Sequence, residues 1–574
     1  MRNRVRRLFP LLLCLVMACA PYCDALTASA YAYCGAPMPK TTVGHTESRF
    51  WELPFMMPDL KELSDRAETL QTRIDAGGDA VKQQEELEEL FGQLADAESM
   101  TALAYAHYAL DTADPLWQSR YEQLSTRLDP IHAALNAAAL KLSEAKALKK
   151  VYDAETVAAL RQADRLYDPS AAPLFAQEQA LLLDFDRMQT GFSTVVDGRT
   201  WTISTLMEDQ TLPFADWYTI YRQFAEAYHQ AAGELLIRLV QLRKEIASAL
   251  DFASYPAYRY AAYGRDYSPL ESEAFSESVR QKLVPLFRSL ASSAQLDREL
   301  LDYGDSYPEQ QTMERIGDVV SAILPTLCEP WAYMQRNHLY DTTDRPNKLA
   351  GSFTTYFSAE HAPFLLTTWD SSSAMPTTIL HEFGHYAGYY FRSESGNAEG
   401  GTLDLAEVDS QGLELLAIPY YPTIFGRRAD EAKNVRLFDT LYAVLSGCAV
   451  DAFELWLYSA DHLSVESIDE RFGALCKAYG LDAVGFTETV WSDIGHIFRS
   501  PSYYISYATA AVTALLIYFR SVDSPKAGQR IYRTILLRPY GAQFRKLLHK
   551  CSLTDPLSDD TIAKIAKEMS NFTE

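Results

Sequence analysis

Two histidines flank a glutamate at a spacing that can hold a metal ion: His381-Glu382-Phe383-Gly384-His385. In a helix, positions i and i+4 lie one turn apart on one face, so both imidazoles converge on a single cation. Glu382 projects from the adjoining face, where it reaches a water at the metal without ligating the metal itself. Zinc suits such a set, because it accepts imidazole and carboxylate and a catalytic zinc keeps one position open. Only one complete set is visible, which predicts one zinc ion per chain. The plainer alternative is a pair of histidines that cap or line an ordinary helix.

A catalytic zinc needs a third protein ligand. The stretch Leu403-Asp404-Leu405-Ala406-Glu407-Val408-Asp409-Ser410-Gln411 supplies a candidate. As a helix it sets Glu407, Ser410 or Gln411, and Glu414 along a polar stripe against Leu405, Val408 and Leu415. Alone, that pattern describes any amphipathic helix.

Taken together, His381-Glu382-Phe383-Gly384-His385 and Glu407-Val408-Asp409-Ser410-Gln411 resemble the thimet oligopeptidase and oligoendopeptidase F family of zinc metallopeptidases. Weaker matches are Arg49 to Pro54, Tyr260 to Pro269, Arg280 to Pro285 and Asn347 to Phe353, so the resemblance runs from about residue 48 to the C-terminus. It implies that Glu407 is the third ligand beside His381 and His385. It also implies that a His and tyrosines within His496 to Ala508 face the metal and hydrogen-bond the substrate and the developing oxyanion. His496 and Tyr507 fit that pattern best, with Tyr504 one turn before Tyr507. A further tyrosine common in the family between the His and this cluster is not evident. Phe498 and Ser500 occupy that region, so which phenol acts stays open.

The chemistry implied is metal-assisted peptide hydrolysis, with Glu382 as general base and then acid. Asp404 or Glu414 orients a ligand imidazole from outside the ligand set. The fold implied is mainly α: a two-lobed helical body around a deep substrate channel, with a small β-sheet next to the zinc helix. Short peptides are then the expected partners. Two other readings use the same residues: a helical peptide-binding surface protein without turnover, and an exopeptidase that trims dipeptides.

The elements that must carry these residues are mostly helices. Leu60, Leu63, Ala67, Leu70 and Ile74 recur at helical spacing until Gly77-Gly78 breaks the run. Asp79 then caps a helix bearing Leu87, Leu90, Phe91 and Leu94. A stripe from Trp217 to Ile246 predicts a helix of about eight turns. Phe353 to Phe357 and Pro363 to Trp369 read as two short strands just before the metal helix. Such a hairpin either offers an edge to an extended peptide or only packs beneath the helix. Without repeats or low-complexity linkers, the expected division is 1–34 as a leader, 35–200 as an N-terminal helical region and 201–574 as the catalytic region.

That leader reads as a targeting segment. Arg2, Arg4, Arg6 and Arg7 precede an apolar run from Leu8 to Met17, too short to span a bilayer comfortably. Val16-Met17-Ala18-Cys19 is similar to a bacterial lipoprotein cleavage box, which makes Cys19 the residue to carry lipid. Ordinary cleavage after Ala20 or Ala32 competes with it. Export is expected either way, to a lipid-anchored place on the cell surface or to the medium.

Over all 574 residues the formal charge is −24 and the pI is near 4.9, which argues against nucleic acid or an anionic membrane face as partner. Membrane association is expected only through Cys19. The hydrophobic share of 48% excludes wholesale disorder. Cys328, Cys448, Cys476 and Cys551 are scattered and form no CxxC pair, so neither a zinc ribbon nor a disulfide framework is expected.

Overall fold

A computed structural model describes residues 45–572, apart from 126, 153, 167, 210, 293–305, 350, 394–401 and 540. The leader with Cys19, and with it the whole 1–34 segment, lies outside the described residues. Helices dominate what remains, with two small sheets.

Near the N-terminus, α1 (Leu60–Asp75) starts where the Asp59 carboxylate accepts the Glu62 backbone N–H. Its five apolar stripe residues are all buried. Gly77 and Gly78 stand at φ +81° and +153°, a turn L side chains avoid, and Asp79 caps α2 (Ala80–Leu110) through the Val81 and Lys82 N–H groups. The predicted eight-turn helix is α3 (Phe214–Ala249), whose 36 residues make about ten turns. Just before it, β1 (Ser193–Val196) and β2 (Arg199–Thr202) form a hairpin across Asp197-Gly198, both at positive φ. A border at 200/201 therefore falls inside β2, where Trp201 pairs with Thr194.

Three short strands lie beside the metal-binding sequence: β3 (Tyr340–Asp341), β4 (Phe353–Phe357) and β5 (Ala362–Leu366), in the order β3-β5-β4. β4 and β5 are antiparallel, with Phe353 opposite Leu366 and Phe357 opposite Ala362, while β3 runs parallel to β5. The sheet packs against α2 and against α4 (Met375–Ser393), the helix that carries His381, Glu382 and His385. The expected hairpin does pack on the metal helix, and β4 is the outer strand on its side of the sheet.

α4 lies across α5 (Leu403–Leu416), which in turn packs on α7 (Ile505–Asp523); α6 (Ala429–Ser459) covers α7 from another side. Their close approach depends on particular glycines. A Cβ on Gly384 of α4 would meet the Asp409 carbonyl oxygen of α5 at 2.4 Å. A Cβ on Gly447 of α6 would meet the Tyr504 carbonyl oxygen at 2.8 Å. Two helical stretches, Leu403–Ser459 and Ile505–Asp523, are long and apolar enough to cross a membrane, yet both are mostly buried within the body. Their hydrophobicity is that of core helices. Cys328, Cys448, Cys476 and Cys551 are all free thiols.

Candidate active site

His381 and His385 project from the same face of α4, one turn apart, with ring centroids 5.0 Å from each other. Helix α5 brings Glu407 to the same point. One donor atom from each of His381, His385 and Glu407 lies within 4.8 Å of the others, a spacing at which three ligands can hold one cation. Both histidines are partly exposed, whereas Glu407 is buried.

Each ligand is oriented by a neighbour. His381 Nδ1 lies 2.8 Å from Glu414 Oε1, about two helical turns beyond Glu407 on α5, which turns Nε2 toward the cluster. Glu414 Oε2 in turn accepts from Arg436 of α6, and Arg436 also reaches Asp439 at 3.5 Å. Burial alone would raise the Glu414 carboxyl, but Arg436 and the His381 ring hold it below its ordinary value. The same pairing outweighs burial at His381 and lifts its imidazole to about 9, so a cation must displace a proton there. His385 is pushed the other way, by burial and by the His381 charge, and its ring bonds the backbone carbonyl of Ala406. Of the two acids adjacent to the ligands in sequence, Glu414 is thus the one that touches an imidazole. Asp404 instead accepts the Tyr267 and Thr509 hydroxyls at 2.7 and 2.6 Å, joining α5 to α7.

Glu407 has an asymmetric environment. Its Oε1 accepts the Tyr503 hydroxyl at 2.7 Å, while its Oε2 is buried with no hydrogen-bond partner among the described residues. A buried carboxylate oxygen without a partner is costly unless something positive reaches it. Together with two imidazoles this donor set fits zinc, which takes nitrogen and carboxylate ligands. Burial raises the Glu407 carboxyl above its ordinary value.

Glu382 faces the sheet side, 4% exposed, and its Oε2 accepts the Thr354 hydroxyl from β4 at 2.8 Å. Burial pushes its carboxyl up to about 7, the range in which a carboxylate exchanges protons efficiently near neutral pH.

The opposite wall is the 496–507 segment. It is two helices with a bend between them: Gly495–Arg499, then α7 from Ile505, with Ser502 at φ +65° in the bend. His496, Tyr504 and Tyr507 are 3%, 7% and 8% exposed. His496 Nε2 stands 3.5 Å from the Tyr507 hydroxyl, and its ring centroid is 5.3 Å from that of Tyr504. Burial, and then Arg499, lower the His496 imidazole to about 3, so it is a neutral hydrogen-bonding group at any working pH. Nearby, the bend's backbone is held by arginines. Arg243 of α3 takes the Ile497 and Phe498 carbonyls, Arg259 the Pro501 carbonyl at 3.4 Å, and Arg265 the Ser502 carbonyl at 2.7 Å. Glu454 of α6 accepts the Ser502 N–H at 3.0 Å.

Of the residues selected from the sequence, His381, His385 and Glu407 make the cluster, Glu382 lies beside it on α4, His496, Tyr504 and Tyr507 lie on the segment whose Tyr503 bonds Glu407, and Asp404 instead ties α5 to α7. Thr354, Tyr503 and Arg436 were not selected. Thr354 lies in a stretch recognised only as a strand. Tyr503 had a local signal, standing four residues before Tyr507, and their ring centroids lie 5.2 Å apart. Arg436 is distant in sequence and carries no motif.

Two ionic ties brace the ligand helices from behind. Arg392 of α4 and Arg538, just beyond α8 (Pro525–Leu536), both bond the buried Asp409 carboxylate of α5, at 2.9 and 2.7 Å. Tyr532 of α8 donates to the Asp409 carbonyl at 2.7 Å.

The pattern of peptidase family M3 matches residues 333–567, and that of the peptidase M3 N-terminal domain matches residues 50–164. No curated protein sequence matches. Among solved structures, a provisionally named oligoendopeptidase F superposes with a TM-score of 0.78 at 21% identity, over 91% of this chain and 98% of its own. PZ peptidase A, solved with an inhibitor, gives 0.77 at 20%, again over 91% and 98%. A second provisionally named oligoendopeptidase F, from Bacillus anthracis str. Ames, gives 0.74 at 18%, over 91% and 97%. At such identities the superpositions speak for the fold. The two family patterns cover both ends of that fold and, between 333 and 567, every residue of the cluster, so the chain belongs to peptidase family M3 and is a metallopeptidase.

Proposed function

We propose that the chain is an exported, zinc-dependent oligopeptidase that hydrolyses internal bonds of short unstructured peptides. The observation that carries the zinc reading is the buried Oε2 of Glu407, which has no hydrogen-bond partner among the described residues and belongs to a donor set completed by His381 and His385. His381 through Nε2, His385 through its remaining ring nitrogen and Glu407 through Oε2 would hold the ion. Bound there, zinc supplies Lewis-acid polarisation of the scissile carbonyl and acidifies a water molecule.

The protein's own groups do the rest. Glu382 takes the proton of the attacking water and returns it to the leaving amine, and Thr354 keeps its carboxylate aimed. Tyr507 and His496, with Tyr504 beside them, donate hydrogen bonds where negative charge develops on the carbonyl oxygen. The hydrolytic groups are recessed: Glu382, Glu407, His496, Tyr504 and Tyr507 are all under a tenth exposed. Such burial supports access by a short flexible peptide over a folded protein, in keeping with a deep channel between two helical lobes. Export is supported by the basic and apolar leader, with lipid on Cys19 or a free mature end as its two forms.

The deciding experiment is metal analysis joined to a mixed-peptide digest read by mass. About one zinc per chain and internal cuts in peptides of roughly five to twenty residues are expected. In Glu382→Gln the zinc should stay and turnover should vanish, because an amide cannot accept the proton. Products that are all dipeptides would replace the reading by an exopeptidase; bound zinc with no cleavage would leave a peptide-binding protein.

A further inference from the structure

We infer that Tyr503 is a positioning residue for the metal: by occupying Glu407 Oε1 it commits that carboxylate to bind the ion through Oε2 alone. The inference rests on the reading of His381, His385 and Glu407 as zinc ligands. A carboxylate can bind a metal through one oxygen or both, and the choice decides how many positions remain for water and substrate. Nothing about a glutamate on a helix settles that choice. Here the surroundings do. The Tyr503 hydroxyl donates to Oε1 at 2.7 Å, and Oε2 is the oxygen left buried and without a hydrogen-bond partner among the described residues.

The phenol is unable to swing away. Tyr503 is 1% exposed, and its ring is packed against His496 and Tyr507, with centroids 5.1 and 5.2 Å away, and edge-on to Tyr263 at 6.2 Å. Its backbone follows Ser502, whose φ of +65° is held by Glu454 on the N–H and Arg265 on the carbonyl. Tyr503 differs from its two tyrosine neighbours in its partner. Tyr507 reaches His496, and Tyr504 stacks edge-on against the same imidazole. One tyrosine of the segment thus bonds the metal ligand, while the other two meet His496. The wall that carries the oxyanion donors is thereby tied by a hydrogen bond to the helix that carries the third ligand.

The test uses the full chain, stripped of metal by a chelator and reloaded with Zn2+ or Co2+. Tyr503→Phe keeps the ring and removes the donor, and its zinc affinity by chelator competition should fall about 10- to 100-fold, as for other partners of metal ligands. In the Co2+ form its visible absorption should weaken, because a freed second oxygen of Glu407 raises the coordination number. Tyr504→Phe should leave both affinity and spectrum as in the wild type. Unchanged affinity in Tyr503→Phe, or a lower affinity with an unchanged cobalt spectrum, would overturn the inference. X-ray absorption at the zinc edge of the wild-type protein needs no variant, and two carboxylate oxygens at bonding distance would overturn it as well. A wild-type chain that takes up neither ion would remove the ligand reading itself, a different failure from either of these.

Discussion

Thr354 Oγ1 stands 2.8 Å from Glu382 Oε2 and 3.0 Å from the Glu382 carbonyl oxygen, so one strand hydroxyl meets both the side chain and the backbone of that glutamate. The contact joins β4 to α4 and explains why a sheet of three short strands sits beside a helical site. Thr354→Val preserves the shape of the side chain and removes that donor. A hydrogen bond to a charged group contributes about 1.5–3 kcal/mol. We expect kcat to fall roughly ten- to a hundredfold, with zinc content at the wild-type level. Wild-type kcat in the variant would show that Glu382 needs no such guide.

Glu414 and Asp404 can be separated in one experiment. Glu414→Gln removes the charge that His381 Nδ1 meets, and zinc affinity should fall about 10- to 100-fold. Asp404→Asn touches no ligand. It should leave zinc affinity unchanged and lower the melting temperature, at a cost of about 1–3 kcal/mol, because the Tyr267 and Thr509 hydroxyls lose a charged acceptor. Chelator competition and thermal melting read the two effects, and a reversed pattern would contradict the geometry.

Tyr507 carries the next expectation. With its hydroxyl 3.5 Å from His496 Nε2 and its ring almost buried, Tyr507→Phe should change packing little. Loss of one oxyanion donor costs about 2.7–4 kcal/mol, a fall in kcat of about a hundred- to a thousandfold with KM nearly constant. Tyr504→Phe is the comparison. Should Tyr504→Phe lower kcat and Tyr507→Phe spare it, the donor is the tyrosine at the start of α7 and not the one a turn later.

His496 gives a pH-dependent prediction. Burial and Arg499 hold its folded-state value at about 3, against about 6.5 in an unfolded chain. Between those values the unfolded state binds a proton that the folded state refuses, so stability falls as pH drops below about 6.5, by up to about 1.4 kcal/mol per unit. His107, lowered to about 4 chiefly by burial, acts in the same sense. His496→Gln removes one of these sites. Its melting temperature should decline less steeply than the wild type's between pH 6 and pH 4. Equal slopes in the two proteins would show that His496 is not held neutral.

Much of the site was legible because its chemistry sits on short-range patterns. His381 and His385 declare themselves by i, i+4 spacing, and Glu407 by a recognisable element on the next helix. The apolar stripes of α1, α2 and α3 marked core faces correctly for the same reason, since helical period survives in any single sequence. What stayed hidden depends on contacts between segments far apart. Thr354 and Glu382 are 28 residues apart, and Tyr503 and Glu407 are 96 apart. No spacing rule connects such pairs. Asp404 and Glu414 were equally plausible partners for an imidazole until the crossing of α4 and α5 at Gly384 set which one lay within reach. The Asp197-Gly198 dipeptide is a turn signal within a single sequence, and the hairpin it makes puts residues 200 and 201 together in β2.

The bend between His496 and Tyr507 is secured by Arg243, Arg259, Arg265 and Glu454, contributed by α3, α6 and the segment following α3. The three arginines occupy the carbonyls of Ile497, Phe498, Pro501 and Ser502, and Glu454 occupies the Ser502 N–H, so the backbone that sets the tyrosines is held by four side chains at once. A peptidase built this way would hold that segment constant and vary its peptide preference on other surfaces.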